Sequence, residues 1–120
     1  MQKPFKVTET FKDPAVIITV DGYFERTAGT EFELLIAKHL RQKHYFFIID
    51  LTTCVVINSP GVATLLKTAA HVLEDFKGAF VINNPCPTNV QVLLLSGILP
   101  LAERTDSVSD ALEICRKAAG

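Results

Sequence analysis

Tyr45-Phe46-Phe47-Ile48-Ile49-Asp50-Leu51 is an apolar run with a β-branched and aromatic bias and little polar alternation. A strand that reads this way is buried on both faces, which places it in the middle of a parallel sheet under helices. Asp50 and Thr52-Thr53 end the run, and Cys54-Val55-Val56-Ile57 leads into Asn58-Ser59-Pro60-Gly61, which reads as a helix entrance. Ser59 is expected to be the N-cap, its hydroxyl accepting from one of the first free backbone N–H groups. Pro60 is expected at the first helical position, where its fixed φ fits and its missing N–H costs nothing. Val62, Leu65, Leu66, Ala69, Leu73 and Phe76 follow at helical spacing on one apolar face. A hydroxyl is thereby held at the positive end of a helix, just beyond a buried strand.

Upstream, Phe5 to Phe11 alternates apolar and polar residues and predicts a half-buried edge strand. Lys12-Asp13-Pro14 is a turn, so short that the next strand, Ala15 to Val20, must run antiparallel to the first. Asp21-Gly22 ends that strand. Tyr23-Phe24-Glu25-Arg26 reads as a loop, with Thr27 or Thr30 capping a helix whose apolar face is Phe32, Leu35, Ile36 and Leu40. Strand, helix, strand in that order implies a right-handed crossover between parallel neighbours.

Downstream, Lys77-Gly78 stops the second helix and Ala79 to Ile82 is a short buried strand. The prolines of Asn83-Asn84-Pro85-Cys86-Pro87 lead into a helix from Thr88 to Ser96, in which the Leu93-Leu94-Leu95 run must expose at least one leucine. Ile98 to Glu103, interrupted by Pro100, reads as a weak edge strand. Asp106 to Asp110 supplies caps for a last helix carrying Ala111, Leu112, Ile114 and Cys115. The sum is one α/β domain over residues 1–120: a mixed, mostly parallel sheet of four to five strands with four helices and an antiparallel edge strand.

Composition narrows the function classes. Hydrophobic residues are 48% and charged residues 21%, with a net charge of −1 and no basic run, so neither nucleic acid nor an anionic membrane is expected as the main partner. No apolar stretch reaches a membrane span and the start is polar, which predicts no membrane insertion and a cytoplasmic location. Cys54, Cys86 and Cys115 are far apart and form no ligand spacing, so they read as reduced, partly buried thiols. His39, His44 and His71 read as surface or boundary residues. Asp50, at the carboxyl end of a strand, lacks a basic, nucleophilic or metal-binding partner, and its expected role is structural. No catalytic residue, metal site or cofactor is expected, because there is no nucleophile–base pair, metal cluster or phosphate loop. An enzyme or nucleotide-binding protein using the strand ends is accordingly the disfavoured reading.

Taken together, the sequence resembles a STAS domain of the bacterial anti-sigma-factor-antagonist type. One block is Ile48-Ile49-Asp50-Leu51 followed by Ile57-Asn58-Ser59-Pro60-Gly61-Val62, similar to the family's strand, loop and Asp-Ser-Ser/Thr-Gly helix entrance. A second is Phe80 to Pro85, Val90 to Leu95 and Ser96-Gly97-Ile98, and a third is Asp106-Ser107-Val108-Ser109-Asp110-Ala111-Leu112. Gly22 with Glu25 matches a glycine and a following acidic residue less well. Asn58 stands where the family has Asp, and Pro60 where it has Ser or Thr.

The resemblance implies a regulatory binding protein, not an enzyme. It implies docking to an anti-sigma factor that is itself a serine kinase, and phosphorylation of Ser59 as the event that switches docking off. An alternative is a phosphorylation-independent STAS docking module in another regulatory or transport complex. The expected partner-binding patch is Tyr23, Glu25 and Arg26 from the loop after the second strand, Asn58, Ser59, Pro60 and Gly61 from the helix entrance, and Thr64 and Lys67 from the exposed side of the helix.

Overall fold

The computed structural model describes residues 3–120. Its order is β1 (Phe5–Lys12), β2 (Ala15–Phe24), α1 (Arg26–Arg41), β3 (Phe46–Asp50), β4 (Cys54–Ile57), α2 (Ser59–Ala70), β5 (Ala79–Asn83), α3 (Pro87–Leu95), the short turn α4 (Ile98–Leu101), β6 (Glu103–Thr105) and α5 (Val108–Ala119). A π-helical turn, His71–Asp75, continues α2. The sheet has six strands in the order β1-β2-β3-β5-β6, with β4 paired to the far end of β2. Only β1 runs antiparallel to its neighbour; the pairings β2–β3, β2–β4, β3–β5 and β5–β6 are parallel.

The unbroken apolar run of β3 has a direct cause. Phe47 and Ile49 face the larger core, with α1 and α2, while Ile48 faces a second cluster of Ala15, Val81, Ala111, Leu112 and Cys115 under α5. A central strand roofed on both faces has no polar side, so it shows no alternation. β1 is the contrary case, and its alternation is the mark of an edge strand with one wet face.

Several boundaries differ from the sequence expectation. β2 does not end at Asp21-Gly22: Tyr23 and Phe24 are strand residues, not loop. The chain passes Gly22 at φ +78 and shifts register there, which lets β2 leave β3 and pair with β4. β4 is a strand the sequence reading did not separate. Neither Thr27 nor Thr30 caps α1; Glu25 occupies the N-cap without a side-chain bond, and the Thr30 hydroxyl donates to the Arg26 carbonyl at 3.2 Å, inside the helix. The strand expected over Ile98 to Glu103 is a helical turn, and the edge strand follows it as Glu103–Thr105. His39 is not a boundary residue. It is only 4% exposed, with Nε2 at 2.6 Å from Glu9 Oε1 and Nδ1 at 3.0 Å from His44 Nδ1.

Candidate functional site

The helix entrance is built by three strands' ends. Asp50 closes β3: its Oδ1 accepts from the Thr52 backbone N–H at 3.2 Å, the Thr52 hydroxyl at 2.6 Å and Asn83 Nδ2 at 3.3 Å. That fixes the turn from which Cys54 N–H returns to the Leu51 carbonyl at 3.1 Å and β4 departs. These bonds tie Asp50 to the strand end and to the turn that follows. β4 pairs with the end of β2, Tyr23 opposite Val56 and Phe24 opposite Ile57. Asn58 N–H then donates to the Phe24 carbonyl at 3.2 Å, holding the first turn of α2 beside the β2–α1 connection.

The capping role falls on Asn58 and not on Ser59. Asn58 has extended backbone angles, and its Oδ1 accepts from Gly61 N–H at 3.1 Å. Ser59 and Pro60 are the first two helical residues, one position further in than expected. The reason is positional: the cap must be the last residue still in the extended conformation, and Asn58 is tied to β2 by its own N–H. Because Asn58 takes the cap, the Ser59 side chain is released from it. Ser59 is exposed, and among the described residues no hydrogen bond occupies its hydroxyl.

The donors of the first turn can be accounted for one by one. Asn58 N–H bonds Phe24, Gly61 N–H bonds the cap, Val62 N–H bonds the Asn58 carbonyl at 2.9 Å, and Pro60 has none. Only the N–H of Ser59 itself is left without a partner among these. No acidic side chain sits in the first turn of α2, so its positive end is uncompensated. Gly61 is dictated by the close approach of helix and strand, since a Cβ there would run into the Phe24 carbonyl oxygen.

The expected patch separates into two parts. Tyr23, Glu25 and Arg26 come beside Asn58, Ser59, Pro60 and Gly61 through the β2–β4 pairing and the Asn58–Phe24 bond. Arg26 is exposed at the start of α1, and the Lys3 ammonium stands 5.1 Å from the centre of the Tyr23 ring. Thr64 and Lys67 belong instead to the seam between α1 and α2. Thr64 is half-buried, its hydroxyl set where a side chain on Gly29 would lie, and Lys67 pairs with Glu33 at 3.1 Å. Exposed apolar residues that the sequence reading did not assign to a surface include Val55 and Val56 of β4, Leu34 of α1 and Leu101 of α4, and Leu66, expected on the apolar face of α2, is exposed as well. Leu94 and Leu95 of α3 are also exposed, as the three-leucine run required. A run of four β-branched or small residues after a Thr-Thr turn was the available signal for β4.

Among the described residues, no group of three or more His, Cys, Asp or Glu could hold a metal ion. The three thiols are free. Burial pushes the Cys54 and Cys115 thiols up to about 11, so neither is an activated nucleophile. No helix is long and apolar enough to cross a membrane among the described residues.

No family model matches the sequence, and no curated protein matches it significantly. The fold has clear counterparts among solved structures. The Thermotoga maritima protein TM1081 superposes with a TM-score of 0.83 at 17% identity, over 92% of this chain and 94% of that one. An anti-sigma factor antagonist from Mycobacterium paratuberculosis gives 0.81 at 18% identity, over 94% and 95%. An anti-sigma-factor antagonist (STAS) domain protein from Planctomyces limnophilus gives 0.66 at 20% identity, over 95% and 98%. This chain has the STAS fold. The mixed sheet with its antiparallel first pair, and helices on both faces, is the architecture the resemblance implied. The Bacillus cell fate determinant SpoIIAA, in its phosphorylated form, shares that fold with a TM-score of 0.71 at 22% identity. At these identities the likeness is one of fold.

Proposed function

We propose that this STAS-fold protein is a regulatory docking module of the anti-sigma-factor-antagonist type, and that Ser59 is its phosphoacceptor. The partner we assign is an anti-sigma factor with serine kinase activity, met in the cytoplasm. The observation that carries the reading is the division of labour at the head of α2: Asn58 caps, and the Ser59 hydroxyl stands exposed and unbonded one residue later. A kinase needs such a hydroxyl, and a cap that does not use it leaves it available.

The physical consequence of phosphorylation follows from the donors already counted. A phosphate adds about −1.5 to −2 charges at neutral pH. A helix N-terminus ordinarily absorbs an anion through free N–H groups, but here the cap, the β2 carbonyl and Pro60 leave only that of Ser59. The phosphate is attracted by the dipole yet poorly bonded by its own helix. It stays directed at whatever docks on Tyr23, Glu25, Arg26 and the entrance residues. A partner surface closed over an unpaired dianion loses the complex through desolvation and repulsion. Asn58 in place of Asp keeps the cap and spares the phosphate an adjacent carboxylate.

The test is a calorimetric titration of the protein against an anti-sigma factor of the serine-kinase kind. Ser59→Ala should bind as tightly as the parent, and Ser59→Glu more weakly by about tenfold or more. Equal binding by all three proteins would favour the alternative, a constitutive docking module.

A further inference from the structure

We infer that β1 is a self-association edge, on which a second copy of this chain pairs antiparallel with Thr8 on the two-fold axis. β1 is eight residues long, and among the described residues β2 is the only strand paired with it. The direction of its backbone groups is fixed twice over. Tyr23 N–H donates to the Pro4 carbonyl at 3.1 Å, and the two-residue turn Asp13-Pro14 closes on the pair Lys12–Ala15. Bonded pairs alternate along an antiparallel ladder, so Lys6, Thr8, Thr10 and Lys12 bond inward to β2. Phe5, Val7, Glu9 and Phe11 therefore turn their N–H and C=O groups outward. No proline or bulge interrupts this row within β1; α1 packs on the face of the strand, and among the described residues no strand pairs with its outer edge. A long unbroken edge of this kind is a template for another strand.

The side chains select the occupant and its register. With Thr8 opposite Thr8 of the second copy, all four outward residues pair, Phe5 with Phe11 and Val7 with Glu9 in each direction. Lys6 then meets Thr10, and no like charges oppose each other. Sliding the partner two residues one way sets Glu9 against Glu9 and Lys6 against Lys12, which is repulsive. Sliding it the other way leaves Phe11 unpaired. Phe11 is 49% exposed, with one ring face already stacked on His44 at 4.6 Å; the proposed register gives it an aromatic cross-strand neighbour. Lys38 neutralises Glu9 at 2.9 Å, so the Val7–Glu9 pairing opposes no free charge. Strand pairing alone buries less than the roughly 1,200 Å² of a stable complex, which makes this a weak, reversible dimer.

Sedimentation of the full chain over micromolar to millimolar concentration tests it, together with amide exchange. The expected result is monomer–dimer exchange, with the amides of Phe5, Val7, Glu9 and Phe11 protected only at high concentration. Thr8→Lys, on an exposed position, should weaken association about tenfold or more by placing two ammonium groups on the axis. Register is read by cross-linking in a Cys86→Ala background. The facing positions of a non-hydrogen-bonded pair lie about 4.5 Å apart between Cα atoms, within disulfide reach. Thr8→Cys should therefore form a covalent dimer under mild oxidation and Thr10→Cys should not. A monomer at every concentration, a dimer indifferent to Thr8→Lys, or cross-linking of Thr10→Cys as fast as Thr8→Cys would overturn the proposal.

Discussion

Asn58 and Ser59 show how far one position matters at a helix start. Ser59 was legible as a residue of the α2 entrance, but serine and asparagine cap equally well, and the sequence alone does not say which is tied to β2. The bond from Asn58 N–H to Phe24 decides it. Asn58→Ala should lower stability by about 1 kcal/mol through loss of the cap, whereas Ser59→Ala should stay within about 0.5 kcal/mol; chemical denaturation measures both. Glu9 contributes a pH dependence on the acid side. The Lys38 ammonium, helped by His39 and opposed by the cost of burial, holds the Glu9 carboxyl below its ordinary value of 4.5. A carboxyl depressed on folding stabilises above its unfolded pKa, and the gain is lost as pH falls through the folded value. Denaturation curves for the parent and Glu9→Gln should thus differ at neutral pH and converge in acid, below the ordinary carboxyl range. A gap that widens in acid would contradict this.

At the scale of elements, legibility tracked how fully an element is covered. β3 and β5 were read because both faces are roofed, and β1 because one is bare. β4 escaped because it is four residues long, with Cys54 and Ile57 buried and the two valines between them exposed, a pattern with no period of two. The bend of β2 at Gly22 escaped for a related reason: Asp21-Gly22 carries the chemistry of a turn, yet here the glycine allows a strand to change partners. Those two misses concealed the strand pairing by which Tyr23 to Arg26 reach the helix entrance, although the sequence reading already put them in one patch with it. Gly61 is the contact point of that junction. Gly61→Ala forces α2 away from the Phe24 carbonyl and should cost about 1–3 kcal/mol as overpacking. Thermal denaturation reads the loss, and an unchanged midpoint would mean that the helix can start elsewhere.

For the whole molecule, the helices on both faces of the central strands leave two of the three thiols unreachable without opening the fold. Cys54 and Cys115 lie inside the two core clusters, with thiols raised to about 11, while Cys86 is half-exposed at the head of α3. Iodoacetamide should label Cys86 in the native protein and the other two only after unfolding; equal rates would show the layers opening together. The same compactness makes Ser59 conspicuous, a free hydroxyl at the carboxyl end of the sheet beside two helix starts. Intact mass spectrometry after incubation with ATP and a purified anti-sigma factor of the serine-kinase kind tests the proposed phosphoacceptor role of Ser59 most directly. The predicted result is a gain of about 80 Da, one phosphoryl group, mapping to Ser59 and absent from Ser59→Ala. No gain, or a gain that persists in Ser59→Ala, would contradict it.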